Sequence, residues 1–542
     1  MGNWGHVYGK HDVDVMIGHE SYYDKYYSLS ASKSNMFDPT NMELAGAVTE
    51  QSSDSYTKEY NNEGYFGRAQ NDSAQQYFGS FSFRRDGSSR FHPDNRWGNF
   101  FSVGAAWVMS EESFLKDIKP IDFLKLKLSY GEQGNDNIPD YLYTNTYTIV
   151  NSVGGPAAKP ARMGNKDITW EKGGNLNVGV DFALFKHRLN GTIEYFWRKT
   201  SDMLFSFSLP TSYGYTSYYA NIGDMKNSGI EITLDGDVIR SKNLKWNIGL
   251  NLTHYKNHIS MLPDERKTTT TPEGYKGYAS GNFFLGEGLS MYSFYMPQYV
   301  GVYSKDTWQL TNDTKYDASK DGLSMWYTDD YKMNTKPDGT REFVKDTNGE
   351  KVETGKRAAT TSYDEAKDYI VGHMLPKVYG GFNTRLEFFG VDFTADFAYQ
   401  LGGKVYDSQY ASFMSPATSN TKGFNIHEDA LKSWSASNQG SNLPRYQFGD
   451  ENTGSLSSRF LAKASYLSLQ NLSVGYTLPA NLTRKAKIEK VRVFMNASNV
   501  WLWSARRGLD PRTAMIDSGY GASNASYYST VRTISAGVNV TF

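Results

Sequence analysis

Along much of this chain apolar residues return at every second position in stretches of about ten, the mark of extended strands with two unlike faces. Between Asn175 and Phe185, Leu176, Val178, Val180 and Phe182 alternate with Asn175, Asn177, Gly179 and Asp181. A turn near Lys186 leads into Leu189, Ile193, Tyr195 and Trp197, which alternate with Asn190, Thr192, Glu194 and Arg198. The pattern recurs at Leu124, Leu126, Leu128 and Tyr130, and at Trp246, Ile248, Leu250 and Leu252. After Phe389-Gly390, Val391, Phe393, Ala395, Phe397 and Tyr399 oppose Asp392, Thr394, Asp396 and Gln400. Charges on the second face mean that it meets water.

One alternating strand fits a soluble sandwich, with the apolar face as core, as well as a membrane barrel, with that face in lipid. Loop length separates the two. The turns at Lys186, at Phe389-Gly390 and over 240–243 are short, whereas 21–61, 134–169 and 302–377 are long polar segments. Such loops are uncommon in compact soluble domains. Outer-membrane barrels, by contrast, pair short periplasmic turns with longer extracellular loops.

Composition points the same way. Tyr, Phe and Trp (40, 30 and 11) make 15% of 542 residues, while hydrophobic residues reach only 39% and mean hydropathy is -0.59. Barrels spend alternate residues on lipid and carry aromatic girdles at both interfaces. The greasiest run, 100–109, is too short for a transmembrane helix and contains Ser102 and Gly104. The expected fold is an all-β, transmembrane antiparallel barrel, with about 16 strands in this chain. Within it Trp107, Tyr130, Tyr195 and Trp197 close apolar runs and are assigned to the membrane girdle.

The 57 basic against 58 acidic residues leave a net charge of -1, which removes the footprint of a nucleic-acid partner. With no cysteine, disulfide scaffolds, thiolate metal sites and cysteine nucleophiles are excluded. No G-x-S-x-G, P-loop or H-E-x-x-H occurs, so nothing calls for an enzyme or a cofactor. His254 and His258 stand four apart at a strand end, where that spacing does not share a face, and Asp346-Thr347-Asn348-Gly349-Glu350 reads better as a glycine turn than as a calcium loop. No metal site is assigned.

At the chain end Ile534, Ala536, Val538, Val540 and Phe542 alternate with polar residues up to the last position. A strand ending in Phe542 is what outer-membrane proteins present to their insertion machinery, and Phe542 is assigned as the assembly signal.

At this point the chain resembles the SusC/RagA type of TonB-dependent outer-membrane transporter. The resemblance lies in Phe83-Arg84-Arg85-Asp86-Gly87-Ser88-Ser89-Arg90-Phe91, Arg96-Trp97-Gly98 and Ser102 to Trp107, then in Leu126 to Asn135 and Trp170-Glu171-Lys172. It continues in Asn221 to Glu231, Gly475-Tyr476-Thr477-Leu478-Pro479, Ala497-Ser498-Asn499-Val500 and Gly508-Leu509-Asp510-Pro511, so that it covers nearly the whole chain. It implies a plugged barrel in the outer membrane of a bacterial cell, powered through the TonB complex, working with a SusD-type surface lipoprotein and importing oligosaccharides, glycan fragments or peptides.

The chain departs from that pattern at its start, where Met1 is followed by no signal peptide, plug or TonB segment and strands begin near Val7, Val13, Val15 and Ile17. About six more strands, roughly 200 residues, separate it from a 22-strand barrel. Residues 1–542 are therefore expected to be the C-terminal portion of a transporter barrel, with the TonB contact made by the missing part. The alternatives are a self-contained 16-strand porin and a soluble secreted all-β glycan-binding protein. Candidate substrate-binding residues are loop aromatics: Tyr213, Tyr215, Tyr218 and Tyr219 after Pro210, and Trp326, Tyr327 and Tyr331 among acidic residues. Flat rings of this kind stack on sugars or pack against peptide side chains.

Overall fold

The computed structural model describes residues 1–215, 217–417, 425–515 and 530–542. Fifteen strands belong to one sheet in chain order: β1 (Gly2–Tyr8), β2 (His11–Met36), β3 (Ala47–Ser73), β4 (Tyr77–Ser88), β5 (Trp97–Val108), β6 (Ile121–Asn135), β7 (Glu171–Leu184), β8 (Leu189–Ser201), β9 (Asp224–Arg240), β10 (Leu244–Met261), β11 (Val378–Phe388), β12 (Val391–Leu401), β13 (Tyr466–Thr477), β14 (Lys490–Trp503) and β15 (Thr533–Thr541). The expected count was about sixteen. Short turns (9–10, 74–76, 109–120, 185–188, 241–243, 389–390, 478–489) alternate strictly with loops that reach 262–377 and 402–465. No helix among the described residues is long and apolar enough to cross a membrane. The turns are locally encoded: Phe389 (φ 47°) and Gly390 (φ 86°) take the left-handed pair that a two-residue hairpin needs.

The chain divides into two compact units, Met1–Phe182 with Tyr195–Lys226, and Ala183–Glu194 with Asn227–Phe542. In the first, β4 pairs with β5 so that Tyr77 faces Trp107, Phe81 faces Val103 and Phe83 faces Phe101, and β6 continues the row with Leu126, Leu128 and Tyr130. The segment 21–61, expected as a structureless loop, is instead mostly strand. β2 and β3 stay paired from His11↔Ser73 to Met36↔Ala47, whereas β1 reaches only Ile17 of β2 and β4 only Asn62 of β3. The hairpin overshoots its neighbours with water on both faces, which erases the alternation that marks the other strands.

In the second unit the apolar row runs through Val391, Phe393 and Ala395 of β12, Tyr476, Val474 and Leu472 of β13, and Val493, Met495 and Ala497 of β14. Register shifts between Leu469 and Asn471, and between Ser498 and Trp501 opposite them, insert extra residues on both β13 and β14. Asn499 sits at φ 53°, a conformation Asn tolerates better than most residues. Across these bulges the row passes from Leu472 to Leu469 and Leu467 on β13, a change of parity, and from Ala497 to Trp501 and Trp503 on β14, where it stays on odd positions. β15 completes it, with Val540 facing Val491 and Val538 facing Val493.

The loops of this unit bury their own cores. One gathers Phe294, Met296, Met374, Tyr406, Met414 and Phe460, and another Tyr303, Met325 and Ala359.

Candidate functional site

On the strands the greasy face is the bare one. Phe81 is 52% exposed and Val103 47%, while in the second unit Val493 is 46% and Met495 53% exposed. A water-soluble protein does not leave continuous apolar rows uncovered, so these rows meet a membrane. The opposite face carries cross-strand ion pairs: Lys127 with Asp181 at 2.8 Å in the first unit, Lys245 with Glu387 at 3.1 Å and Arg492 with Asp392 at 2.5 Å in the second. In a membrane barrel the polar face is the inner one.

The four residues assigned to the girdle all lie on the apolar row. Trp107 stacks on Tyr77 and its Nε1 donates to Glu112 Oε1 at 3.0 Å. Tyr130 packs against Phe101 and donates to Glu132 Oε1 at 3.0 Å. Tyr195 is exposed and Trp197 half-buried. Tyr77, Tyr65, Trp97, Trp501 and Trp503, which sequence reasoning did not single out, lie on the same apolar row. Tyr65 lies 6.2 Å from Trp97, and the Arg85 guanidinium sits 5.3 Å over the Trp97 ring. The eight steps from Tyr77 to Arg85 span roughly 26 Å along the strand, close to the height of an apolar membrane band.

The motif residues of the first unit hold its loops. Arg84 Nε donates to both oxygens of Asp86 at 2.7 Å, and its Nη2 pairs with Glu20 at 3.0 Å. A Cβ on Gly64 would lie 2.4 Å from Asp86 Oδ1, which is why glycine stands there. Tyr60 and Ser88 hydroxyls both donate to Asp136 Oδ2, and Arg90 bonds the Asp136 carbonyl and the Asp140 carboxylate. Next to this network Phe91, Phe100, Leu142, Ile168 and Trp170 form a core. Gly98 and Gly134 lie under the Phe100 and Trp170 rings, where a Cβ would clash at 2.5 and 2.2 Å. The Asn221 side chain clamps both backbone groups of Thr169 at 2.9 Å.

The loop aromatics separate into two groups. Tyr213 is open to solvent, Tyr215 hydrogen-bonds to Tyr147, which raises its pKa, and Tyr218 stacks on Phe207 at 5.1 Å. Tyr219 packs on the core around Trp170. Trp326 lies inside the loop fold, 2% exposed, with Tyr363 edge-on at 5.2 Å. It offers no face for stacking, which corrects its expected surface role. Tyr327 packs edge-on against Tyr369, and Tyr331 against Phe343. Burial thus takes Trp326 out of any binding surface, and Tyr219 is taken up by the core of the first unit.

Phe542 is 88% exposed beyond the paired end of β15. His254 Nδ1 lies 2.5 Å from the Lys377 carbonyl. The Asn348 and Glu350 amides donate to Asp346 Oδ1 at 2.8 Å around Gly349, a side-chain-stapled turn. Within the loops, burial raises the Asp368 carboxyl above the usual range, and hydrogen bonding to Asp321 pushes Tyr316 up to about 12.

The family model described as TonB dependent receptor-like, beta-barrel, matches residues 2–340. TonB-dependent receptor P3 of Formosa agariphila is 30% identical over 513 residues, covering 92% of this chain and 47% of its own length. TonB-dependent receptor SusC of Bacteroides thetaiotaomicron is 26% identical over 517 residues, covering 93% and 46%. The solved RagAB peptide transporter aligns with a TM-score of 0.76 at 24% identity, covering 100% of this chain and 54% of that one, a likeness of fold. The chain spans about half the length of the curated relatives it matches.

Proposed function

Because this chain belongs to the TonB dependent receptor-like β-barrel family, whose members are outer-membrane receptors and transporters and not enzymes, we propose that it forms the barrel wall of a SusC/RagA-type nutrient importer. The observation that carries this reading is the pairing of a bare apolar row with a charged, wet face on strands joined alternately by short turns and long loops. In this reading the long loops receive a surface lipoprotein of the SusD type, and energy enters through TonB. Substrates are oligosaccharides or peptides too large for a diffusion pore. The peptide class is in keeping with the fold shared with the RagAB peptide transporter, and the oligosaccharide class with the family resemblance of the sequence. The SusD-type partner, the TonB contact and the role of Phe542 in assembly belong to this proposal, as does the placing of residues 1–542 within a longer plugged barrel.

Uptake of labelled oligosaccharide and peptide pools by cells carrying or lacking the gene tests the reading. Gene-dependent accumulation that a protonophore abolishes is expected. Gene-dependent entry that is insensitive to the protonophore would mean a passive porin and would overturn it.

A further inference from the structure

Within the second unit the loop 262–377 sets one strand, Ser324–Tyr331, between Tyr299–Val302 and Glu353–Thr360. Met325 enters the core with Tyr303 and Ala359, so alternation leaves Ser324 and Trp326 on the other face. The loop 402–465 covers that face. Trp434 lies over Gly322, where a Cβ would stand 2.6 Å from the indole, and Arg445 Nη1 donates to the Ser319 and Asp321 carbonyls at 3.0 Å. Further along, Tyr299 faces Trp326; its amide donates to Ser458 Oγ at 2.9 Å and its hydroxyl to the Asn442 carbonyl at 2.8 Å. Tyr363, edge-on to Trp326, donates to the Leu456 carbonyl at 2.8 Å. The Arg459 guanidinium closes this end, 5.7 Å from the Tyr299 ring and 4.9 Å from that of Phe460.

The donors at this seam outnumber the acceptors. Arg459 Nη1 donates to the Thr453 carbonyl at 2.8 Å, but Nε and Nη2 are buried without an acceptor, as are the Trp326 indole N–H and the Ser324 hydroxyl. Trp326 is 2% and Ser324 4% exposed. Among the described residues no carboxylate pairs with Arg459. In the same loop Asp450 is taken by Arg445 at 2.9 Å, and Asp429 by Lys432 at 2.6 Å. The chain's own side chains enclose these nitrogens, so no further polypeptide can reach them. Burial pulls the Arg459 pKa below the ordinary arginine value, yet a guanidinium stays charged at neutral pH. A buried charge without counter-charge, beside N–H groups without acceptors, is among the costliest arrangements a fold can hold, and it calls for an ion or water.

We propose that the seam between these two loops encloses a small monovalent anion of the chloride class, held by Arg459 Nε and Nη2 and by the Trp326 N–H. Water would satisfy the donors but leave the guanidinium charge unmatched, which favours an anion. The ion ties the loop 402–465 onto the loop 262–377, so that the two hold together as one body. This inference does not depend on what the barrel imports.

The test uses the detergent-extracted full-length protein. Crystals soaked in sodium bromide should show an anomalous peak beside Arg459 Nη2 and Trp326 Nε1. In solution, hydrogen exchange over 299–303, 322–327 and 453–461 should be slower in sodium chloride than in sodium gluconate of equal ionic strength, by about tenfold once chloride stands at about ten times its Kd. Arg459→Met keeps the packing of the stem and should abolish the difference between the two salts. Trp326→Phe keeps a flat ring without the N–H and should reduce the difference; it decides the matter if Arg459→Met fails to assemble. Absence of the bromide peak, equal exchange in chloride and gluconate, or a chloride effect that survives undiminished in the variants would overturn the proposal.

Discussion

The strands and the loops of this protein place their apolar residues in opposite ways. On β4 and β5 the bulky side chains Phe81, Phe83, Phe101 and Val103 point outward and stay exposed. In the loops of the second unit Phe294 and Met296 are fully buried and Phe460 nearly so, packed on Tyr406 and Met414 as in any water-soluble core. The same residue types serve both regions, so the difference lies in the solvent: lipid accepts an apolar face that water rejects. The upper part of β2 and β3 follows neither rule. Tyr22 pairs with Tyr60 and Tyr26 with Tyr56 across it, ring centroids about 6 Å apart; Tyr22, Tyr26 and Tyr56 stay exposed, while Tyr60 is tied to the Asp136 network.

The contrast can be broken by substitution. The largest effect is expected for Phe294→Ala, which empties a closed core and should destabilise the loop fold by about 3–5 kcal/mol, read by hydrogen exchange over 283–297 and 368–374. The same truncation at Phe81 should cost far less, because lipid fills the space; comparable losses would mean that the row is a buried core. Phe81→Arg puts a charge in the band and should cost roughly 2–4 kcal/mol near the midplane, read as loss of heat-modifiable protein. By the same logic Trp197→Asp should impair assembly and Asn177→Asp, on the polar face, should be tolerated.

The upper hairpin of β2 and β3 has water on both faces. Tyr26→Ala removes one cross-strand contact and should change hairpin protection by only about 0.2–1 kcal/mol. A larger loss would show a covered surface there. The smallest effect depends on pH. Burial raises the Asp368 pKa, so the neutral carboxyl favours the folded loop below the ordinary Asp range, and that contribution is lost as pH rises through the raised value. Asp368→Asn should therefore protect the loop more at pH 7 than the native residue does, with the two converging near pH 3. Divergence that grows toward low pH would reverse the assignment.

How much of this was legible depended on where water lies. Strands between lipid and a wet face announce themselves by alternation, and β7, β8, β12 and β15 lie where Val178, Tyr195, Phe393 and Val538 placed them. The hairpin above Glu20 was hidden because both its faces are wet. Parity along β13 could not be followed past Gln470, where a bulge moves the row from even to odd positions. The burial of Trp326 was equally hidden, since a ring in an acidic loop has the same local sequence inside a core as outside one. Motif residues such as Gly98, Gly134 and Asn221 were recognisable by family resemblance, but their work, fitting under Trp170 and clamping Thr169, needed coordinates.

Because the sequence contains no cysteine, the face of each strand that meets lipid can be read directly. Single cysteines at positions 101 to 105 of β5, each spin-labelled in reconstituted bilayers, would report access to oxygen from lipid and to a nickel chelate from water. Positions 101, 103 and 105 should favour oxygen, and positions 102 and 104 the chelate, in strict alternation. Uniform access along the strand, or the opposite phase, would contradict the account.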